Sequence, residues 1–241
     1  MQDSYVGDVG DYGKYGLLRH LAAQDLRLGV VWYKTQGGNA GDGRFVSYLS
    51  KRPPSLVQCD PDLFDCLASL VRRGKRSLRA LETSRALPTG TRYFSQILPR
   101  ATAGTACARR AWLASALRSM AGRDLVFLDP DNGFECRSVA RAHRMAAKYV
   151  YHDEVSAFIE SGSSVLVYHH TSRQGSAYAQ VKERLAGLQQ RHPRILLRGT
   201  LYRRGSVRAY ILLAQPRHAK IIQRWSHFFQ TPWTAHFNLV D

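Results

Sequence analysis

The chain has 241 residues, 44% of them hydrophobic, which is enough apolar material for a packed core and excludes a disordered polymer. Lys and Arg number 35 against 18 acids, a formal net charge of +17 at pH 7. That excess favours a polyanionic partner, nucleic acid above all, because each neutralised phosphate releases a counterion. No run of about 18 apolar residues is present, so no membrane-spanning helix is expected. The opening Met1 to Ser4 lacks the basic-then-apolar pattern of a signal peptide, so the expected location is cytoplasmic, with one α/β domain over residues 1–241.

The first motif, Tyr5 to Gly16, alternates Gly7, Gly10, Gly13 and Gly16 with Asp8, Asp11 and Lys14. It is expected to be a glycine-rich loop leading into a helix at about Leu17, with free N–H groups and Lys14 available to an anion. Asp8 and Asp11 suit hydrogen bonding to a base or sugar, and Asp11 is also a candidate catalytic acid. The spacing matches neither a phosphate-binding loop nor a dinucleotide fingerprint, so no cofactor is predicted from it. Residues Leu28 to Tyr33 read as the first buried strand. A second glycine-rich loop, Thr35 to Arg44, follows and offers Asn39, Asp42 and Arg44 as pocket lining. A helix is predicted over about Asp60 to Val71, with Asp60 as its cap. Residues Ser77 to Leu81 and Arg92 to Leu98 read as strands, and Ala106 to Met120 as a helix.

Next comes the most informative stretch, Asp124 to Glu135. Leu125 to Leu128 are four consecutive large apolar residues, the mark of a fully buried strand. The run stops at Asp129, Pro130, Asp131, Asn132 and Gly133, where an open α/β sheet places its ligand crevice. Asp129 and Asp131 are candidate catalytic acids and Asn132 a substrate contact. A short apolar segment at Lys148 to His152, a helix at about Glu154 to Ser161 and a second buried strand at Ser164 to Tyr168 follow. That strand ends in His169, His170, Thr171, Ser172 and Arg173. Two consecutive histidines leaving a strand point to opposite sides, so one faces a pocket; His169 is taken as catalytic, with His170, Ser172 and Arg173 as substrate contacts. A helix at about Tyr178 to Gln190 precedes a hairpin, Arg194 to Tyr202 and Val207 to Ala214. Arg203, Arg204 and Arg208 at its turn are candidate nucleic-acid contacts, as is the cluster of Arg72, Arg73, Lys75 and Arg76. An amphipathic helix at Ala219 to Phe229 and an aromatic tail end the chain. The alternation predicts a three-layer α/β/α fold with a mostly parallel central sheet and a C-terminal antiparallel hairpin. Cys59, Cys66, Cys107 and Cys136 have no zinc-motif spacing, so no metal is predicted.

The Leu-Asp-Pro-Asp strand end followed by Tyr-His-His-Thr-Ser-Arg-Gln-Gly resembles the uracil-DNA glycosylase superfamily, with its Gly-Gln-Asp-Pro-Tyr and His-Pro-Ser-Pro motifs. It also resembles phage-defence glycosylases acting on hypermodified cytosine. That resemblance implies a cofactor-free DNA glycosylase acting on a flipped base, from duplex or single-stranded DNA, with Asp129 stabilising the sugar cation or positioning water. His169 or His170 would stabilise the departing base. Leu128, Asp131 and Thr171 depart from those motifs. The same Leu-Asp-Pro-Asp resembles the Asp-Pro-Pro-Tyr motif of amino-methyltransferases, and the late hairpin resembles the antiparallel pair that closes their Rossmann-like sheet. This implies an S-adenosylmethionine-dependent nucleic-acid methyltransferase. A non-enzymatic nucleic-acid binder accounts for the charge but leaves both polar strand ends without a role.

Overall fold

The structure, a computed structural model, describes residues 2–23, 25–35, 43–99, 105–172 and 175–240. In chain order its elements are α1 (Val9–Leu21), β1 (Leu28–Trp32), α2 (Ser47–Lys51), α3 (Pro54–Val57), α4 (Pro61–Arg72), α5 (Leu78–Glu82), β2 (Arg92–Phe94), α6 (Thr105–Met120), β3 (Leu125–Asp129), β4 (Gly133–Phe134) and β5 (Tyr149–Val150). These are followed by α7 (His152–Glu160), β6 (Ser164–His170), α8 (Ala177–Arg191), β7 (Leu196–Arg204), β8 (Ser206–Ala214), α9 (Ala219–Phe228) and β9 (Phe237–Val240).

Seven strands form one sheet in the order β2-β1-β3-β6-β8-β7-β9. The pairings β1–β2, β1–β3 and β3–β6 are parallel, whereas β6–β8, β8–β7 and β7–β9 are antiparallel. The sheet is therefore mixed, which corrects the mostly parallel expectation. The shortfall lies in β9, four residues of the aromatic tail whose buried ends flank two exposed positions, Asn238 and Leu239. That burial pattern carries no period-2 signal. Strand alternation separates two apolar clusters on opposite faces of the sheet. Phe127, Leu166 and Leu212 pack with Leu17, Leu63 and Trp225 from α1, α4 and α9. Val126, Val165, Val167 and Leu213 pack with Trp112, Phe158 and Leu188 from α6, α7 and α8. Among the described residues no helix is long and apolar enough to cross a membrane.

Two local expectations are corrected. Ser77 to Leu81 is not a strand: Ser77 caps α5 by accepting the Ala80 N–H at 3.2 Å, and Leu78 and Leu81 are buried one helical turn apart. The glycine-rich opening is not a loop either. Asp8 caps α1 by accepting the Gly10 N–H at 2.9 Å, so Gly10, Gly13 and Gly16 lie inside the helix. Glycine there costs about 1 kcal/mol relative to alanine. Tertiary packing overrides that cost. A Cβ at these positions would sit 2.3 Å from Arg208 Cζ, 2.5 Å from Tyr202 Cε2 and 2.1 Å from Trp233 Cζ2. The three glycines form a bare stripe that lets β7, β8 and the C-terminal aromatics approach the helix backbone.

Candidate functional site

Every residue of β3 is buried, and the strand delivers Asp129 to the carboxyl edge of the sheet. Asp129 shares the face of Leu125 and Phe127, the face covered by α1. Helical spacing places Asp11, Lys14 and Tyr15 on the side of α1 that meets it. Lys14 Nζ donates to Asp11 Oδ1 at 2.8 Å and to Asp129 Oδ2 at 2.9 Å, and Tyr15 donates its hydroxyl to Asp11 Oδ2 at 2.9 Å. The side chains of Lys14, Asp11 and Asp129 are 3–5% exposed. Burial would lower the Lys14 pKa, but the carboxylates of Asp11 and Asp129 outweigh it and hold the ammonium charged. Burial lifts Asp11 to about 6 against the pull of Lys14, and the neighbouring Asp129 and Asp8 push in the same direction.

Asp8 and Arg208 extend this cluster. Asp8 Oδ1 accepts from Arg208 Nη2 at 3.2 Å and Asp8 Oδ2 from the Phe45 N–H at 3.1 Å. Arg208 is only 8% exposed, and its Nη1 also donates to the carbonyls of Arg204 and Ser206. Asp131 lies 3.5 Å from Gln2 Nε2 and 3.8 Å from Lys148 Nζ. Asp8, Asp11, Lys14, Asp129, Asp131 and Arg208, together with Tyr5, Tyr168 and His170, line a small cleft open to solvent. The Lys14 ammonium stands 5.5 Å from the centre of the Tyr168 ring. Burial raises the Tyr168 hydroxyl to about 12, opposed by Arg208 and Lys14, so it is a neutral donor. The cleft is thus a ring of carboxylates and two buried cations with one aromatic wall.

Among the sequence candidates, Asp8, Asp11, Lys14, Asp129, Asp131 and His170 meet in this cleft, and so does Arg208. Arg208 had been expected on the surface as a nucleic-acid contact; its ion pair with Asp8 instead makes it part of the cleft wall. His169 does not join them. It turns to the opposite face, where its Nδ1 accepts the Phe134 N–H at 3.2 Å. Burial, with Arg184 and His170 nearby, lowers it to about 3, so it is a neutral imidazole. Of the two histidines it is His170, not His169 as expected, that lines the cleft. Asn132 acts through its backbone: its N–H donates to the Lys148 carbonyl and its carbonyl accepts the His170 N–H, tying the turn to β6. Ser172 exchanges backbone hydrogen bonds with the Gln180 side chain beside α8, away from the cleft lining. Arg44 is exposed, and so are Arg203 and Arg204, which donate to Asn238 and His236. Of the other basic cluster, Arg76 donates to the carbonyls of Val6, Ser4 and Gly43, a structural clamp. Asn39, Asp42 and Arg173 lie outside the described residues.

Sequence reasoning did not single out Tyr5 and Tyr168 as cleft residues, although both lie within quoted motifs. The third-residue spacing of the glycines was a legible signal for a close-packed helix face. The four cysteines are free, and no group of three or more metal-ligating side chains occurs among the described residues.

No protein-family model matches this chain, and no curated protein matches it. A crystal structure of protein LPL1258 from Legionella pneumophila, described with the family-model DUF519, superposes over 98% of this chain and 95% of that one, at a TM-score of 0.46 and 12% identity. That likeness is too distant to transfer a function.

Proposed function

We propose that this protein is an S-adenosylmethionine-dependent methyltransferase acting on an amino group of a nucleic-acid base. The observation that carries the reading is the strand arrangement around Asp129. β8 runs antiparallel between β6 and β7, closing an otherwise parallel α/β half-sheet as the hairpin of the methyltransferase sheet does. Asp129 and Pro130, the start of the Asp-Pro-Pro-Tyr-like motif, then sit at the cleft. The crevice where the strand order reverses lies between β1 and β3, the usual ligand position in such sheets. At the exit of β1 the Thr35 hydroxyl is buried with no hydrogen-bond partner among the described residues, which fits a polar ligand there.

Thr35 would hold part of the cofactor, whose sulfonium supplies an electrophilic methyl group when bound. The chain's own residues handle the amine. Asp129 accepts a hydrogen bond from the base amino group, concentrating electron density on its nitrogen. Lys14 fixes that carboxylate in one orientation, and Asp11 with Tyr15 fixes Lys14. The amine proton, released as the new N–C bond would replace the methyl–sulfur bond and leave a neutral thioether, would pass to a carboxylate of the cleft. The surplus of basic residues supplies the phosphate attraction.

A DNA glycosylase acting on a modified base is the second reading, favoured by the meeting of Asp129, Asp131 and His170 in one cleft. One experiment separates the two. Purified protein is titrated with S-adenosylmethionine by calorimetry and incubated with phage DNAs and RNA, with label transfer, released base and abasic sites all measured. Methyl transfer that requires the cofactor and is lost in Asp129→Asn supports the first reading. Cofactor-free base release overturns it in favour of the second.

A further inference from the structure

Phe45 stands apart from the other aromatics. Its backbone is pinned at both ends: the N–H donates to Asp8 Oδ2 at 3.1 Å, and the carbonyl accepts the Val9 N–H at 3.0 Å. It is thereby fixed to the start of α1, at an acid that lines the cleft. Yet the residue is 46% exposed, more than any other Phe, Tyr or Trp among the described residues.

The surroundings say what would cover it. The Arg44 guanidinium lies 5.5 Å from the ring centre. The Cδ2 edge of the ring meets the tip of the β7–β8 hairpin at Gly205, where an added Cβ would lie 3.6 Å from Phe45 Cδ2. Arg203 and Arg204, both exposed, flank that tip. A rigidly held ring among guanidinium groups, on a chain of net charge +17, has the make-up of a single-strand binding surface.

We propose that Phe45 is a stacking platform for an unpaired nucleobase, the neighbour of the one whose base enters the cleft. This rests on the nucleic-acid part of the reading above and adds how the substrate is gripped. One face of the ring stacks on the base while Arg44 lies over the other, and Arg203 and Arg204 meet the flanking phosphates. The partner is accordingly a nucleic acid with at least two splayed, unpaired nucleotides at the target site.

The test is binding of a fluorescent single-stranded oligonucleotide by anisotropy, with wild type, Phe45→Ala and Phe45→Trp. Stacking predicts about a 10-fold weaker Kd for Phe45→Ala and near wild-type affinity for Phe45→Trp. It also predicts an unchanged slope of log K against log salt, because no charge is removed, whereas Arg203→Ala with Arg204→Ala should lower that slope. If wild type binds and Phe45→Ala binds equally well, the platform is overturned while nucleic-acid binding stands, and a protein partner for the ring becomes the better account. If Phe45→Trp loses as much affinity as Phe45→Ala, the ring serves to support the hairpin and the proposal fails. If wild type binds no oligonucleotide, the nucleic-acid reading fails first.

Discussion

The two faces of the sheet's carboxyl edge hold polar clusters of similar size but opposite character. On the face of α7, Glu154 accepts from Tyr33, from the backbone N–H of Tyr151 and twice from Arg109, whose remaining donors reach the carbonyls of Ala146 and Tyr149. One acid meets one arginine there, and the hydrogen bonds close on themselves. On the face of α1, Asp11 and Asp129 share Lys14, and Asp8 and Asp131 stand beside them around an open cleft. Acids outnumber the buried cations. A closed cluster braces a fold; one that lines an open cleft stands where a ligand can reach it.

This contrast can be broken by substitution. The largest effect is expected for Lys14→Met, which leaves Asp11 and Asp129 buried without their cation and should cost about 3–5 kcal/mol in urea unfolding. The deficit should shrink as the pH is lowered, because protonation removes the buried charges. Paired amide substitutions come next. Asp129→Asn should lower activity about 100- to 1000-fold with little change in melting temperature. Glu154→Gln should do the reverse, lowering the melting temperature while a folded fraction keeps its activity. Equal behaviour of the two variants would abolish the distinction.

Smaller effects sharpen it. His169→Ala strands the Phe134 N–H and should cost about 1–3 kcal/mol. His170→Ala should instead raise KM at nearly constant stability, since its side chain faces the cleft. The smallest effect is on pH dependence. Asp11 has a folded pKa of about 6 against an ordinary 3.8, so the folded protein holds more protons than the unfolded chain between those values. Its contribution to stability is therefore fully present below about 3.8 and declines as the pH rises to about 6. Melting curves across that window should flatten in Asp11→Asn.

The candidate site was partly legible for specific reasons. Four apolar residues ending at Asp129 announce a buried strand with an acid at its exit, and the structure has both. Asp8, Asp11 and Lys14 stood out for their residue types, but their glycines suggested a loop. Only contact with Arg208, Tyr202 and Trp233 explains glycine inside a helix. Phe45 was invisible because one aromatic after a glycine-rich segment has no periodicity. Arg208 misled because a basic hairpin ordinarily faces water, and its partner Asp8 lies 200 residues away.

By itself the sequence determined the buried strand that ends at Asp129, the order of strands and helices from Ser164 to Phe228, and a surplus of positive charge. These follow from local periodicity, turn chemistry and composition, which act over a few residues or none. The tertiary structure alone decided which histidine faces the cleft, that β9 joins the sheet and that the hairpin arginine pairs with an acid at the start of α1. Those outcomes depend on which face α1 covers and on register between distant strands, and neither is encoded in any short window of the chain.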